Sequence, residues 1–272
     1  MNKVSNADWW GRFSVDIGCT HHWVLGGLDL SITRLKSEWE INYSYFNSEN
    51  SDIADSIWHR EPEVHLNTEA VNAPQNHIRV ACRQTADKLL LTPRMADRSL
   101  VSRPWDMLQI LPGEEVTLFI GALLWLRIEF GERRDHAVDI PLRRISDTWF
   151  GPSPREGELC YASRTHAFTD QSQLINRPYR ALLPVQIQNQ DESHLILERI
   201  NLPVPYLNLY RDKFGTFWAQ GLTLTREMDR NNVRVEVDES APKLALGAKL
   251  INESLETADS NVLVKAFDML FA

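Results

Sequence analysis

Period-two alternation of apolar and polar side chains recurs along most of this chain and limits its fold more than any other feature. Residues two apart lie on one side of an extended strand, so repeated alternation predicts half-buried strands. Phe13, Val15 and Ile17 share one such face, Leu28, Leu30 and Ile32 a second, and Trp39, Ile41, Tyr43 and Tyr45 a third. The last two of these strands read as a hairpin around Lys36 and Ser37. The pattern lapses over 47–76, a polar stretch carrying Pro62 and Pro74, which reads as a long excursion with one helical turn near 53–58. It returns over 78–82, 88–92 and 107–111, turns at Pro112-Gly113, and continues over 116–120 and 124–130, with two strands expected to meet at Gly121.

A second block of strands is expected over 158–167, 184–189, 194–200, 206–210, 216–226 and 233–237, with Asp212-Lys213-Phe214-Gly215 as a hairpin turn. Beyond Pro242 the pattern changes, and Val262, Leu263, Ala266, Phe267 and Leu270 fall along one helical face. Roughly a dozen strands and one terminal helix predict a mainly β protein, an antiparallel β-sandwich with a short C-terminal helix. The all-β domain is expected over 8–238, as one continuous unit or two docked halves with a seam near 150–157. Residues 239–272 then form a C-terminal extension with its helix near 261–271. A closed barrel would need more even strand spacing, and no repeat of solenoid length recurs.

At 272 residues and 43% hydrophobic content the chain can bury a substantial core. Its net charge of −8 opposes a general grip on nucleic acid. The arginine-rich middle does not reverse this, because 13 basic and 12 acidic residues between Arg79 and Arg164 favour internal pairing. No signal peptide is expected in MNKVSNADWWGRF, which lacks an apolar core and a small-residue cleavage pattern. The longest apolar run, 118–126, is far short of the about 20 residues a spanning helix requires. Cys19, Cys82 and Cys160 are odd in number and far apart, as expected of reduced thiols, and a cytoplasmic location follows as the expectation.

Common nucleotide-binding, metalloprotease and hydrolase signatures are missing from the sequence. His59, Glu61, Glu63 and His65 would share one face of a strand, as metal ligands must, but a polar edge or loop explains them more simply. Cys19, His21 and His22 read as a surface turn. Neither a metal nor a cofactor is expected. Cys160 and His166 would lie about 20 Å apart on one strand, too far for a nucleophile and its base, so a buried structural cysteine is expected. Core packing is the cheaper explanation of Trp9, Trp10, Trp23 and Trp39. The densest polar chemistry lies in SDTWFGPSPREGELCY (146–161), which reads as a shaped loop between strands. Asp97 with Arg98, and Asp147 with Arg143 or Arg144, are expected to pin loops or line a pocket. Candidate ligand- or partner-binding residues are therefore Asp97, Arg98, Arg103, Asp147, Trp149 and Tyr161.

Four segments carry a resemblance: PRMADRSLVSRP (93–104), LPGE (111–114), 146–162 and RINLPVPYL (199–207). Together they resemble a prokaryotic domain family of unknown function, number 432, over about residues 88–224. The resemblance implies a bacterial or archaeal cytoplasmic protein and makes the 146–161 segment a shared feature; it brings no assigned activity and no residue roles. The expected function is a non-enzymatic module that binds a small ligand or protein partner. The alternative is a small hydrolase or transferase using Asp97, Arg98, Asp147 and Cys160. Homo-oligomerisation through the terminal helix is a further expectation.

Overall fold

A computed structural model describes residues 9–25, 27–45, 57–64, 75–104, 107–131, 137–164, 167–170, 177–228 and 233–257, with the backbone alone for 57–64 and Arg164. The protein is mainly β, built of antiparallel-rich sheets, and its chain contacts divide into two compact units. The first takes residues 1–94, 125–144 and 177–179, and the second takes 95–124, 145–176 and 180–272.

In chain order the strands begin with β1 (Gly11–Ser14), β2 (Cys19–Leu25), β3 (Leu28–Arg34), β4 (Glu38–Tyr45), β5 (Ile57–Val64), β6 (Asn76–Ala81) and β7 (Lys88–Arg94). There follow β8 (Leu100–Arg103), β9 (Leu108–Ile110), β10 (Glu115–Leu123), β11 (Trp125–Phe130) and β12 (Ala137–Pro141). Next come β13 (Ser146–Ser153), β14 (Glu156–Arg164), β15 (Arg180–Asn189), β16 (Leu195–Leu197) and β17 (Ile200–Leu202). The last are β18 (Leu209–Arg211), β19 (Phe217–Ala219), β20 (Leu222–Arg226), β21 (Val233–Val237) and β22 (Lys249–Asn252).

The first unit holds two antiparallel sheets, ordered β1-β7-β11-β12 and β5-β2-β3-β4-β6. Their aromatic side chains meet: Trp39 and Phe130 ring centroids lie 5.0 Å apart, and Phe13 meets Trp23 edge-on at 5.4 Å. Trp9, Trp23 and Trp39 are buried in this core. Strand β2 corrects the surface turn expected at Cys19, His21 and His22, since it lies between β3 and β5 with His21 buried and stacked on Trp23 at 5.7 Å. Five of its seven residues are buried, so the alternation that marks a half-buried strand does not arise. Residues 57–64, read as part of an irregular excursion, pair with it as β5. That pairing places His59, Glu61 and Glu63 on a strand, while their side chains and His65 lie outside the described residues.

In the second unit, the whole of β10 runs antiparallel to β15, from Glu115 opposite Gln188 to Leu123 opposite Arg180. On its other side β15 pairs in parallel with β19 and then β20. Gly121 lies inside β10, so the expected junction falls instead at Leu124, where the chain passes to β11 and the first unit. The Gly121 carbonyl accepts a hydrogen bond from the Arg180 guanidinium at 3.0 Å. Asp212 anchors the β18–β19 turn: its buried carboxylate accepts the Phe214 and Thr216 N–H groups, both at 2.9 Å, and the Trp218 indole N–H at 3.0 Å. Val204–Tyr206 is a single 3-10 turn, which replaces the start of the strand expected over 206–210. The expected C-terminal helix over 261–271 lies outside the described residues. A separate four-stranded sheet, ordered β13-β14-β8-β17, carries the 146–161 segment.

Candidate functional site

The 146–161 segment is a tight hairpin of two strands: 146–153, read as loop, is a strand, and the strand expected from 158 already begins at Glu156. Strands β13 and β14 pair antiparallel, and only Pro154 and Arg155 turn between them. Ser153 closes the turn, its hydroxyl oxygen accepting the backbone N–H groups of Arg155 at 3.3 Å and Glu156 at 3.2 Å. A bulge between Phe150 and Ser153 adjusts the register before the turn. Gly157 is required by its surroundings: its φ is +157°, and a Cβ there would collide with the Phe150 carbonyl and lie 2.8 Å from the Trp149 indole nitrogen. That absent side chain leaves room for the Trp149 indole, which donates to the Ser153 carbonyl at 2.9 Å.

Cross-strand partners share a face, so Asp147 with Tyr161 and Trp149 with Leu159 line one side of the hairpin. Trp149 is 41% exposed and Leu159 47% exposed, which makes them an apolar pair open to solvent. Cys160, Phe150 and Val101 project to the other side and form a buried cluster. The Arg199 guanidinium lies over the Phe150 ring at 5.7 Å.

Four of the six expected binding residues come together around one phenol ring. The Tyr161 hydroxyl donates to Asp97 Oδ1 at 2.9 Å, and the Arg98 guanidinium covers the same ring at 5.2 Å. Arg98 also reaches Asp147 Oδ1 at 3.5 Å. Asp97 and Arg98 occupy the β7–β8 connection, and the backbone bond from Tyr161 N–H to the Ser99 carbonyl, 2.9 Å, holds that connection beside β14. Asp147 thus pairs with Arg98, in place of the expected Arg143 or Arg144; the Arg143 guanidinium instead lies on the Tyr179 ring at 5.1 Å. Trp149 sits two residues along β13 from Asp147, on the same face. Arg103 does not join them, because alternation along β8 sets it on the Val101 side of the sheet.

Electrostatics follow the packing. Burial first, then the hydrogen bond and charge of Asp97, push the Tyr161 phenol up to about 12, so it stays a neutral donor at physiological pH. Burial, with the charge of Glu158 adding to it, likewise lifts the Cys160 thiol to about 12. Cys160 is fully buried and its S–H points to the Glu158 carbonyl at 3.8 Å, while His166 lies outside the described residues. Such a thiol is protonated at neutral pH and is a poor nucleophile.

The residue missed from the sequence is Leu159. Leu159 lies on the strand expected from 158, but with 146–157 read as a loop that strand has no partner to set Leu159 beside Trp149. Ser153 was also passed over, although Ser just before a Pro-containing turn is a turn-closing residue type. Among the described residues no group of His, Cys, Asp or Glu could hold a metal ion, and no helix is long and apolar enough to cross a membrane.

A mainly β fold with a hairpin surface of this kind defines a class by architecture alone. The chain belongs to the family described as "Protein of unknown function (DUF432)", whose model matches residues 9–271. The match extends well beyond the 88–224 region that carries the resemblance, taking in β1 to β6 and the C-terminal segment. No curated protein and no solved structure matches the chain.

Proposed function

We propose that the protein is a β-sandwich binding module whose recognition surface is the open face of the β13–β14 hairpin. Ring contacts joining the two sheets of the first unit, Trp39 to Phe130 and Phe13 to Trp23, support the sandwich. One observation carries the functional reading: Asp97, Arg98 and Asp147 converge on Tyr161 beside the exposed Trp149 and Leu159. The combination of aromatic and aliphatic area with a charged rim suits a partner surface, where aromatic side chains supply most of the contact energy. A hydrolase or transferase is disfavoured, because Cys160 faces away from this cluster with its thiol protonated. Tagged full-length protein is expected to retain a partner or ligand from a cell lysate that Trp149→Ala or Asp97→Ala loses. Retention by both variants contradicts the assignment of this surface.

A further inference from the structure

Strand β13 is the outer strand of its sheet, and its neighbour fixes which way its backbone groups point. Tyr161 N–H is committed to the Ser99 carbonyl on the β8 side of β14. Tyr161 and its opposite residue, Asp147, therefore form a non-hydrogen-bonded pair of the antiparallel ladder. Asp147 consequently turns its own N–H and C=O outward from the sheet, and by the period of two so does Trp149. Neither residue's backbone has another partner among the described residues. Pro152 and the bulge after Phe150 end the open stretch and guard it against indiscriminate pairing, so what remains is a short edge whose outward backbone and exposed side chains belong to the same two residues.

We propose that this edge accepts an extended peptide segment of another protein as an added strand. An apolar side chain of the peptide packs on Trp149, its neighbour across the new edge, and a Lys or Arg two residues away meets Asp147. The inference rests on the binding surface proposed above and names its ligand class. A two-residue spacing is what an added strand presents to Asp147 and Trp149 on one face. The cation follows from charge: Asp97 and Asp147 outnumber Arg98 two to one, and the 3.5 Å Arg98–Asp147 pair is solvent-exposed on both sides, so its carboxylate can take a second cation. The same charges count against a second copy of this chain. Antiparallel pairing of two β13 edges about Thr148 would set each Asp147 carboxylate beside the other copy's Trp149 ring, whose face is electron-rich, and would bring together two chains of charge −8.

The probe is a displayed library of random heptapeptides selected on the full-length protein, followed by synthesis of the most enriched sequence. Enriched peptides are expected to carry Lys or Arg two positions from an apolar residue, and the synthetic peptide to slow amide exchange at Asp147 and Trp149. Asp147→Lys, at an exposed position with its thermal midpoint checked, is expected to weaken that peptide about five- to tenfold and to redirect selection towards Asp and Glu. Absence of enrichment, enrichment indifferent to Asp147→Lys, or concentration-dependent self-association in place of peptide binding overturns strand addition. If a peptide binds and Trp149→Ala abolishes it while exchange at Asp147 and Trp149 is unchanged, the surface stands and strand addition fails. Binding unaffected by Trp149→Ala sinks both.

Discussion

Replacing Gly157 by Ala tests the geometry that places Trp149 on the surface. The residue has φ of +157°, a conformation that costs a side chain about 1–3 kcal/mol. The new methyl would also strike the Phe150 carbonyl, which is backbone and cannot swing aside, and crowd the Trp149 indole nitrogen at 2.8 Å. Overpacking of this kind adds about 1–3 kcal/mol. Gly113 supplies the control, since its φ of +74° imposes strain of about 1–2 kcal/mol while nothing lies within 4 Å of its would-be Cβ. Both glycines belong to the second unit, so urea unfolding of the full chain compares them directly. Gly157→Ala is expected to be the less stable by about 1–3 kcal/mol, a midpoint difference on the order of 0.5–1.5 M urea at a slope of about 2 kcal/mol/M. It should also weaken partner capture by displacing the indole from Ser153. Equal midpoints for the two variants would refute the close approach of Phe150 and Gly157, and with it the explanation of how Trp149 is held.

Two further expectations follow from the buried titratable groups. Cys160, fully buried with its thiol lifted to about 12, should resist a neutral-pH thiol reagent in the native protein while the partly exposed Cys19 and Cys82 react; equal labelling of all three would contradict its placement. Tyr161, raised from 10 to about 12, favours the folded state fully below pH 10, and that contribution is lost as pH climbs from about 10 to about 12. Stability measured across this window should therefore fall more steeply for the wild type than for Tyr161→Phe, and parallel curves would show that burial beside Asp97 does not raise the phenol.

Strands that keep one face wet were legible in the sequence, and the others were not. Trp39, Ile41 and Tyr43 alternate because β4 has such a face, and its hairpin with β3 turns at Lys36 and Ser37 as expected. Strand β2 was hidden because burial on both sides removes alternation, and its two histidines mimic a turn. The 146–161 segment misled for a different reason. Its Gly151, Pro152, Pro154 and Gly157 are loop residues by type, yet here they make a bulge, a tight turn and a close backbone approach within one hairpin. Asp97, Arg98, Asp147 and Tyr161 could be named from composition, but the pairing of β8 alongside β14 that unites them is a long-range parallel contact with no local signature. Arg103 was misjoined because its place on the far side of β8 depends on that same pairing.

Site-directed photocrosslinking compares this surface with one that is merely exposed. A photoreactive phenylalanine analogue is placed at position 149 in one protein and at position 214 in another, where Phe214 is 71% exposed against 41% for Trp149. Irradiation with cell lysate is expected to yield a discrete adduct from position 149 that Asp97→Ala in the same chain suppresses, and none from position 214. A stronger or identical adduct from position 214, or no adduct from position 149, would contradict the β13–β14 face as the recognition surface.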